Sequence, residues 1–174
     1  GIKISMSNAI ETFSVNVEAD DYLAELYPNT TTVAKLHFTY KFLAFDLKFA
    51  PAFLPGNGDE DMKGKTKSFG LAAGFNFSHW FHNLSFSRTK GYFLNNSEDF
   101  PAYVPGGPYL QIPELEVTSV EGISGYSFNQ KFSVKSLTTQ TERQLKSAGS
   151  FIPMVGYRYY SVNNSDDDAT STQR

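Results

Sequence analysis

The segment at residues 31–53, TTVAKLHFTYKFLAFDLKFAPAF, alternates between apolar and polar side chains for nearly its whole length. One side of such an extended chain carries Leu36, Phe38 and Tyr40, and the other side carries Lys35 and His37. A period of two predicts β-strands with one apolar face. Because a soluble sheet and a membrane barrel share this period, strand length, turns and the composition of the polar face must decide between them.

Composition excludes several classes of protein. The chain of 174 residues has the size of one domain, and its formal charge of −3 disfavours a nucleic-acid partner. The absence of cysteine excludes a disulfide scaffold, a thiolate metal site and a cysteine nucleophile. No apolar run reaches about 18 residues, which excludes a transmembrane helix. A mean hydropathy of −0.34 is compatible with a membrane barrel, in which only alternate residues face lipid.

Alternation predicts nine strands, with boundaries good to a few residues. They are 2–7, 11–18, 32–42, 44–54, 68–79, 83–94, 114–128, 130–139 and 149–161. Short connections are predicted at 8–10, 42–44, 79–83 and 129–130, and long polar ones at 19–31, 55–67, 95–113 and 140–148. Alternating short and long connections predict an all-β, antiparallel, up-and-down transmembrane β-barrel, with tight turns at one rim and long loops at the other.

Aromatic residues collect at the predicted tight turns, where Tyr40, Phe42, Trp80, Tyr126 and Phe128 lie. Phe53, Tyr92 and Phe93 form a looser group at the opposite strand ends. Two aromatic girdles around an apolar band are typical of the two interfaces of a bilayer. The apolar faces are therefore predicted to contact outer-membrane lipid.

The polar face of strand 68–79 is formed by small residues, among them Gly70, Ala72 and Gly74, which suit a narrow lumen. Alternation places a lumen polar cluster on the predicted interior: Lys35, His37, Lys41, Asp46, Lys48, Glu121, Lys135 and Arg158. This interior is basic, although the whole chain is acidic. It would favour anions if a water path exists, and in a small barrel the same side chains could equally plug it.

Nine is an odd number of strands, and a barrel closes without an unpaired edge. The chain is therefore predicted to be part of a larger barrel, completed by further strands or by another outer-membrane protein. The barrel domain is assigned to residues 1–162, and residues 163–174 are predicted to be a polar loop or disordered tail. A signal peptide is expected in the precursor.

Several phrases resemble a known family: Phe53-Leu54-Pro55-Gly56-Asn57, Lys63-Gly64-Lys65-Thr66, Ser78-His79-Trp80 and the stretch QTERQLKSAGSF at 140–151. Over roughly residues 32–162 the chain is similar to a Bacteroidota family of outer-membrane β-barrel proteins, domain-of-unknown-function family 4421. The resemblance implies an outer-membrane location in a Gram-negative bacterium, a signal peptide and a longer chain. It implies no activity and no catalytic residues.

Motifs for chemistry are weak in this sequence. The spacing of Gly58 and Gly64 fails for a nucleotide loop, and the acidic loop at 59–64 lacks ligands for calcium, so no cofactor and no metal are predicted. A second motif, Glu142, Arg143, Ser147 and Gly149, is interpreted as structural, with Arg143 paired to an acid and small residues allowing a tight turn.

The sequence thus predicts a non-enzymatic outer-membrane barrel with a structural, transport or interaction role. One alternative is a lipid-modifying barrel enzyme in which a serine joins His37 and Asp46. The other is a soluble lipocalin-like barrel with inverted faces, in which the aromatic side surrounds an apolar ligand.

Overall fold

The computed structural model describes residues 1–8, 12–17, 22–129, 131–138, 143 and 145–165. Within these residues there are nine strands, two short helices and one 3-10 turn at Ser97–Asp99. The strands are β1 (Ile2–Asn8), β2 (Phe13–Val17), β3 (Tyr22–Tyr27), β4 (Thr32–Tyr40), β5 (Leu43–Phe49), β6 (Lys67–Asn76), β7 (Trp80–Leu94), β8 (Gln111–Tyr126) and β9 (Met154–Asn164). The helices are α1 (Glu60–Lys63) and α2 (Val134–Thr138).

Seven of the described strands form one antiparallel wall in the order β1-β4-β5-β6-β7-β8-β9. The all-β, antiparallel fold predicted from alternation is therefore confirmed. Among the described residues, β1 pairs only with β4 and β9 only with β8, so the sheet is open and does not close into a barrel.

The two ends of the wall differ in their connections. At the turn rim, Lys41 and Phe42 join β4 to β5, and residues 77–79 join β6 to β7. Lys41 has a φ of 53°, as the first residue of a tight two-residue hairpin turn often requires. At the loop rim, the longer segments 50–66 and 95–110 connect β5 to β6 and β7 to β8.

The strand predicted at 130–139 is wrong, because residues 134–138 form α2. Ser133 precedes the helix, and its hydroxyl accepts a hydrogen bond from the Ser136 N–H at 3.2 Å, which is the geometry of a helix N-cap. This local capping outweighs the short alternation of apolar residues around it. Consequently β8 and β9 are joined by one long excursion, residues 127–153, which leaves from the turn rim instead of a short turn.

The long loop predicted at 19–31 is also wrong, because Tyr22–Tyr27 form β3. Strand β3 pairs with β2 and, through Leu26, with Leu94 of β7. Its position lies beyond Lys90, the last residue of β7 that pairs with β6. Ala24 is buried there with Leu26 in a small core that also contains Tyr92, Leu94, Leu115 and Val117. Burial in this core stabilises a strand whose acidic flanks predict a loop.

The register sorts side chains onto two faces of the wall. One row crosses all seven strands on the apolar face: Ile2, Phe38, Phe45, Ala73, Leu84, Gly122 and Tyr157. Its large members are exposed, from Phe38 at 38% to Ile2 at 75%. The described residues contain no helix that is long and apolar enough to cross a membrane.

Candidate functional site

The centre of the polar face carries the neighbouring row, which lies one residue away on each strand. This row consists of Lys3, His37, Asp46, Ala72, Ser85, Glu121 and Arg158. Asp46 of β5 is bound by two groups from β4: Lys35 Nζ lies 2.8 Å from Oδ2, and His37 Nδ1 is hydrogen-bonded to Oδ1. The Asp46 side chain is only 18% exposed, so its charge is shielded from solvent and balanced locally.

A second ion pair joins the last two strands of the wall. Arg158 of β9 contacts Glu121 of β8 through two bonds, from Nε at 2.7 Å and from Nη2 at 3.0 Å. The guanidinium also lies 5.7 Å from the centre of the Tyr160 ring. This bidentate geometry fixes the direction of the Arg158 side chain at the edge of the sheet.

Three predicted members of the lumen polar cluster lie elsewhere or stand apart. Lys41 is in the turn between β4 and β5, with its ammonium 5.3 Å from the Tyr40 ring centre, and Lys135 is in α2. Lys48 is on the polar face opposite Lys35 and makes no ion pair with any described residue. The structure therefore groups Lys35, His37 and Asp46, and the positive excess on the strands is smaller than predicted.

Two cavities lie beside these ion pairs. One of about 390 Å³ is lined by His37, Asp46, Asn76 and Asn83, together with the small side chains of Ala44 and Ala72 and the backbone of Gly74. The other, of about 310 Å³, is lined by residues that include Ser85, Glu121 and Arg158. A Cβ atom at Gly74 would lie 2.6 Å from Asn83 Oδ1, so glycine is required for this side chain to sit where it does. The small residues predicted to suit a narrow interior do leave space on this face.

The histidines do not assemble a catalytic triad within the described residues. His37 is bonded to Asp46 on the polar face, and no described hydroxyl is hydrogen-bonded to it. His82 is hydrogen-bonded to the Ser124 hydroxyl, but both belong to the apolar face. The two elements of a serine–histidine–acid system therefore lie on opposite sides of the sheet. No group of three described histidine, aspartate or glutamate side chains could hold a metal ion.

The second motif is placed in the excursion at 127–153. Arg143 and Ser147 are exposed, Arg143 makes no ion pair with a described residue, and Glu142 lies outside the described residues. Gly149 has a defined contact, because its carbonyl accepts a hydrogen bond from Asn129 Nδ2 at 2.6 Å.

Ser150, next to this motif, was not singled out by sequence reasoning. Its hydroxyl accepts bonds from the Asn129 N–H at 3.0 Å and from the Ser127 hydroxyl at 2.9 Å. We call these contacts among Ser127, Asn129, Gly149 and Ser150 the latch, because they bring the two ends of the excursion together.

Aromatic rings line the turn rim, as predicted. Phe42 stacks on Phe77 and Phe77 on Trp80, each pair with ring centres 5.3 Å apart and planes inclined by 16°. Farther along the rim, Phe128 contacts Tyr126 at 5.3 Å and Phe151 at 6.3 Å. We call this exposed group the aromatic belt: Tyr40, Phe42, Phe77, Trp80, Tyr126, Phe128 and Phe151.

A polar boundary near the loop rim was missed by sequence reasoning. On the apolar face, Arg88 bonds to Glu116 at 2.6 Å and Lys90 bonds to Glu114 at 2.7 Å. The signal was present in β7, whose side chains on the apolar face are apolar at Leu84 and Phe86 and charged at Arg88. Arg88 follows Trp80 by eight positions, which corresponds to roughly 27 Å along the strand.

Comparison with known proteins identifies one family model, described as Domain of unknown function (DUF4421), which matches residues 1–174. The family expected from the phrase at 140–151 is thereby confirmed, over a longer part of the chain than the quoted phrases cover. No curated protein and no solved structure matches the chain.

Proposed function

Because the chain belongs to the DUF4421 family of unknown function and exposes one apolar sheet face, we propose that it is an integral β-barrel protein of a Gram-negative outer membrane. In this proposal the apolar face contacts lipid and the polar face lines the interior. Its role is that of a structural, transport or interaction component without enzymatic activity.

The observation that carries this proposal is the exposed apolar face. It is bounded by the aromatic belt at the turn rim and by the ion pairs of Arg88 and Lys90 near the loop rim. Exposed aliphatic and aromatic side chains cover it on β1, β4, β5, β6, β7 and β9. A contiguous apolar surface of this extent is rare on soluble monomers. With a strand tilt of about 40°, the roughly 27 Å between Trp80 and Arg88 spans about 20 Å along the membrane normal, close to the apolar band of outer-membrane barrels.

The chemistry of the boundaries supports the same assignment. Amphipathic rings such as Trp80 are most stable at the depth of the lipid headgroups. The charged pairs Arg88–Glu116 and Lys90–Glu114 suit the opposite interface, where water and headgroups solvate them. A soluble lipocalin-like barrel would require the apolar face to be the interior, whereas the cavities beside His37 and Glu121 lie against the polar face.

The interior role follows from the ion pairs of the polar face. Asp46 and Glu121 balance Lys35 and Arg158, while Lys48, which makes no ion pair with any described residue, adds a positive charge. Such a lining favours anions over cations along any water path. Transport of anionic solutes is therefore the transport role that these residues favour.

Cell fractionation tests the proposal. The full chain should remain in the outer-membrane fraction after a carbonate wash and should leave it only with detergent. As a matched comparison, an abundant periplasmic protein should be released by the same wash. Recovery of the chain as a soluble monomer that needs no detergent would reject the proposal in favour of the soluble barrel.

The enzymatic alternative has a separate test. Purified protein mixed with phospholipid vesicles should release no fatty acid, and the His37→Asn variant should behave identically. Fatty-acid release that disappears in His37→Asn and persists in His82→Asn would instead support a lipid-modifying enzyme.

A further inference from the structure

The two free edges of the wall run in the same direction. Strand β4 runs toward the turn rim, where Lys41 and Phe42 follow it, and β1 is antiparallel to β4, so β1 runs toward the loop rim. Seven antiparallel strands alternate in direction, and β9, the seventh, therefore also runs toward the loop rim. An antiparallel bond between β1 and β9 is excluded by their directions.

From these directions we infer that an odd number of further spanning strands of the same polypeptide closes the sheet between β9 and β1, giving a barrel with an even strand number. The inference rests on the proposed membrane location, because an unpaired edge is intolerable only in hydrocarbon. The smallest solution is one strand and an eight-stranded barrel, a size whose interior is filled by side chains.

The direction of β9 favours strands of the same polypeptide. β9 delivers the chain to the loop rim at Asn164, so a strand that follows it in an up-and-down order returns toward the turn rim, antiparallel to β9. Sequential neighbours in such barrels pair with each other. The required strand has apolar residues on the side of Tyr157 and Tyr159 and small or polar residues on the side of Gly156 and Arg158.

A second copy of this chain does not satisfy the edges. All copies of a membrane protein insert in one orientation, so every copy presents only edges that run toward the loop rim. Two such edges could meet only in parallel, whereas single-chain barrels of bacterial outer membranes are antiparallel throughout. The side chains of β9 are exposed along almost its whole length, as expected for a strand whose second neighbour lies outside the described residues.

Single-residue hydrogen exchange on the full-length protein, extracted from outer membranes in detergent, tests this inference. In an open edge strand only alternate amides are bonded, namely those directed toward β8. We expect the four consecutive amides of residues 157–160 all to exchange about 100-fold or more slower than exposed loop amides. The central strand β5 is the internal control, since both of its sides are paired.

Native mass of the same sample distinguishes the occupants. Uniform protection of β9 and β1 in a particle with one polypeptide that contains further strands supports the inference. Alternating protection, protection only in particles with two copies or with a second protein, or protection in a single chain of residues 1–174 would each overturn it. If the protein is soluble without detergent, the proposed function fails instead; if it is membrane-extracted with an alternating edge, only this inference fails.

Discussion

Arginine at Leu84 is the most direct test of which face meets lipid. Leu84 lies midway between Trp80 and Arg88 on β7, and its neighbours across the sheet are Ala73 and Gly122. Arginine on the lipid face near the bilayer midplane costs about 2–4 kcal/mol. At 1.4 kcal/mol per factor of ten, the folding equilibrium should fall by about 30- to 700-fold.

Ser85→Arg is the matched control, since it introduces the same side chain one residue away on the opposite face. Ser85 lies between Ala72 and Glu121, beside the cavity of about 310 Å³, where a guanidinium finds both space and a carboxylate. We expect its cost to stay below about 1 kcal/mol, the usual range of accessible ion pairs.

The assay is reversible unfolding of the full chain in lipid vesicles by guanidinium. Unfolding is monitored by protection from protease cleavage and by tryptophan fluorescence. A Ser85→Arg variant that is more destabilised than Leu84→Arg would refute the assignment of faces. Equal effects at both positions would refute the distinction between lipid and interior altogether.

Three further predictions concern the rims and the interior. Trp80, the single tryptophan in residues 1–174, should be quenched more strongly by lipids brominated near the headgroup than by lipids brominated near the chain end; the reverse order would contradict the aromatic belt as an interfacial feature. Asn57→Ala removes a side chain that accepts bonds from the N–H groups of residues 31 and 32 and donates to the carbonyls of residues 32 and 51, so trypsin should cleave the loop between β5 and β6 several-fold faster; Gln111→Ala, which removes one 3.4 Å bond, should not change that rate. Asp46→Asn should lower the unfolding free energy by about 1–3 kcal/mol because two partners lose their charge complement, whereas the more exposed Glu121→Gln should lower it by less than about 1 kcal/mol; equal losses in a denaturant titration would contradict the difference in burial.

The strands of the wall could be predicted from sequence because their signal is local. Alternation around Phe38 or Leu71 shows directly which side of a strand is apolar. Neighbouring strands then pair in the register that places their apolar side chains on the same face of the sheet. The pairing of His37 with Asp46 was foreseeable for the same reason, since a tight turn at Lys41 places these two residues opposite each other.

The errors arose where non-local contacts or capping decided the structure. β3 depends on burial of Ala24 and Leu26 against Tyr92, which no local pattern reports. α2 depends on the N-cap hydrogen bond at Ser133. This bond favours a helix in a segment whose short alternating pattern favours a strand. The charged boundary at Arg88 was readable from the outward positions of β7, but only once the strand was known to continue past it.

The latch at the turn rim also explains how β9 finds its register after a long excursion. Closing the segment 127–153 costs roughly 2 kcal/mol more in chain entropy than closing a two-residue turn. The bonds from Asn129 to Gly149 and Ser150 hold the end of β8 beside the start of β9. A short turn has this role in an ordinary hairpin. Register is thereby separated from loop length, so an epitope tag inserted beside the exposed Arg143 or Ser147 should leave the sheet unchanged and report from which side of the membrane the turn rim is accessible.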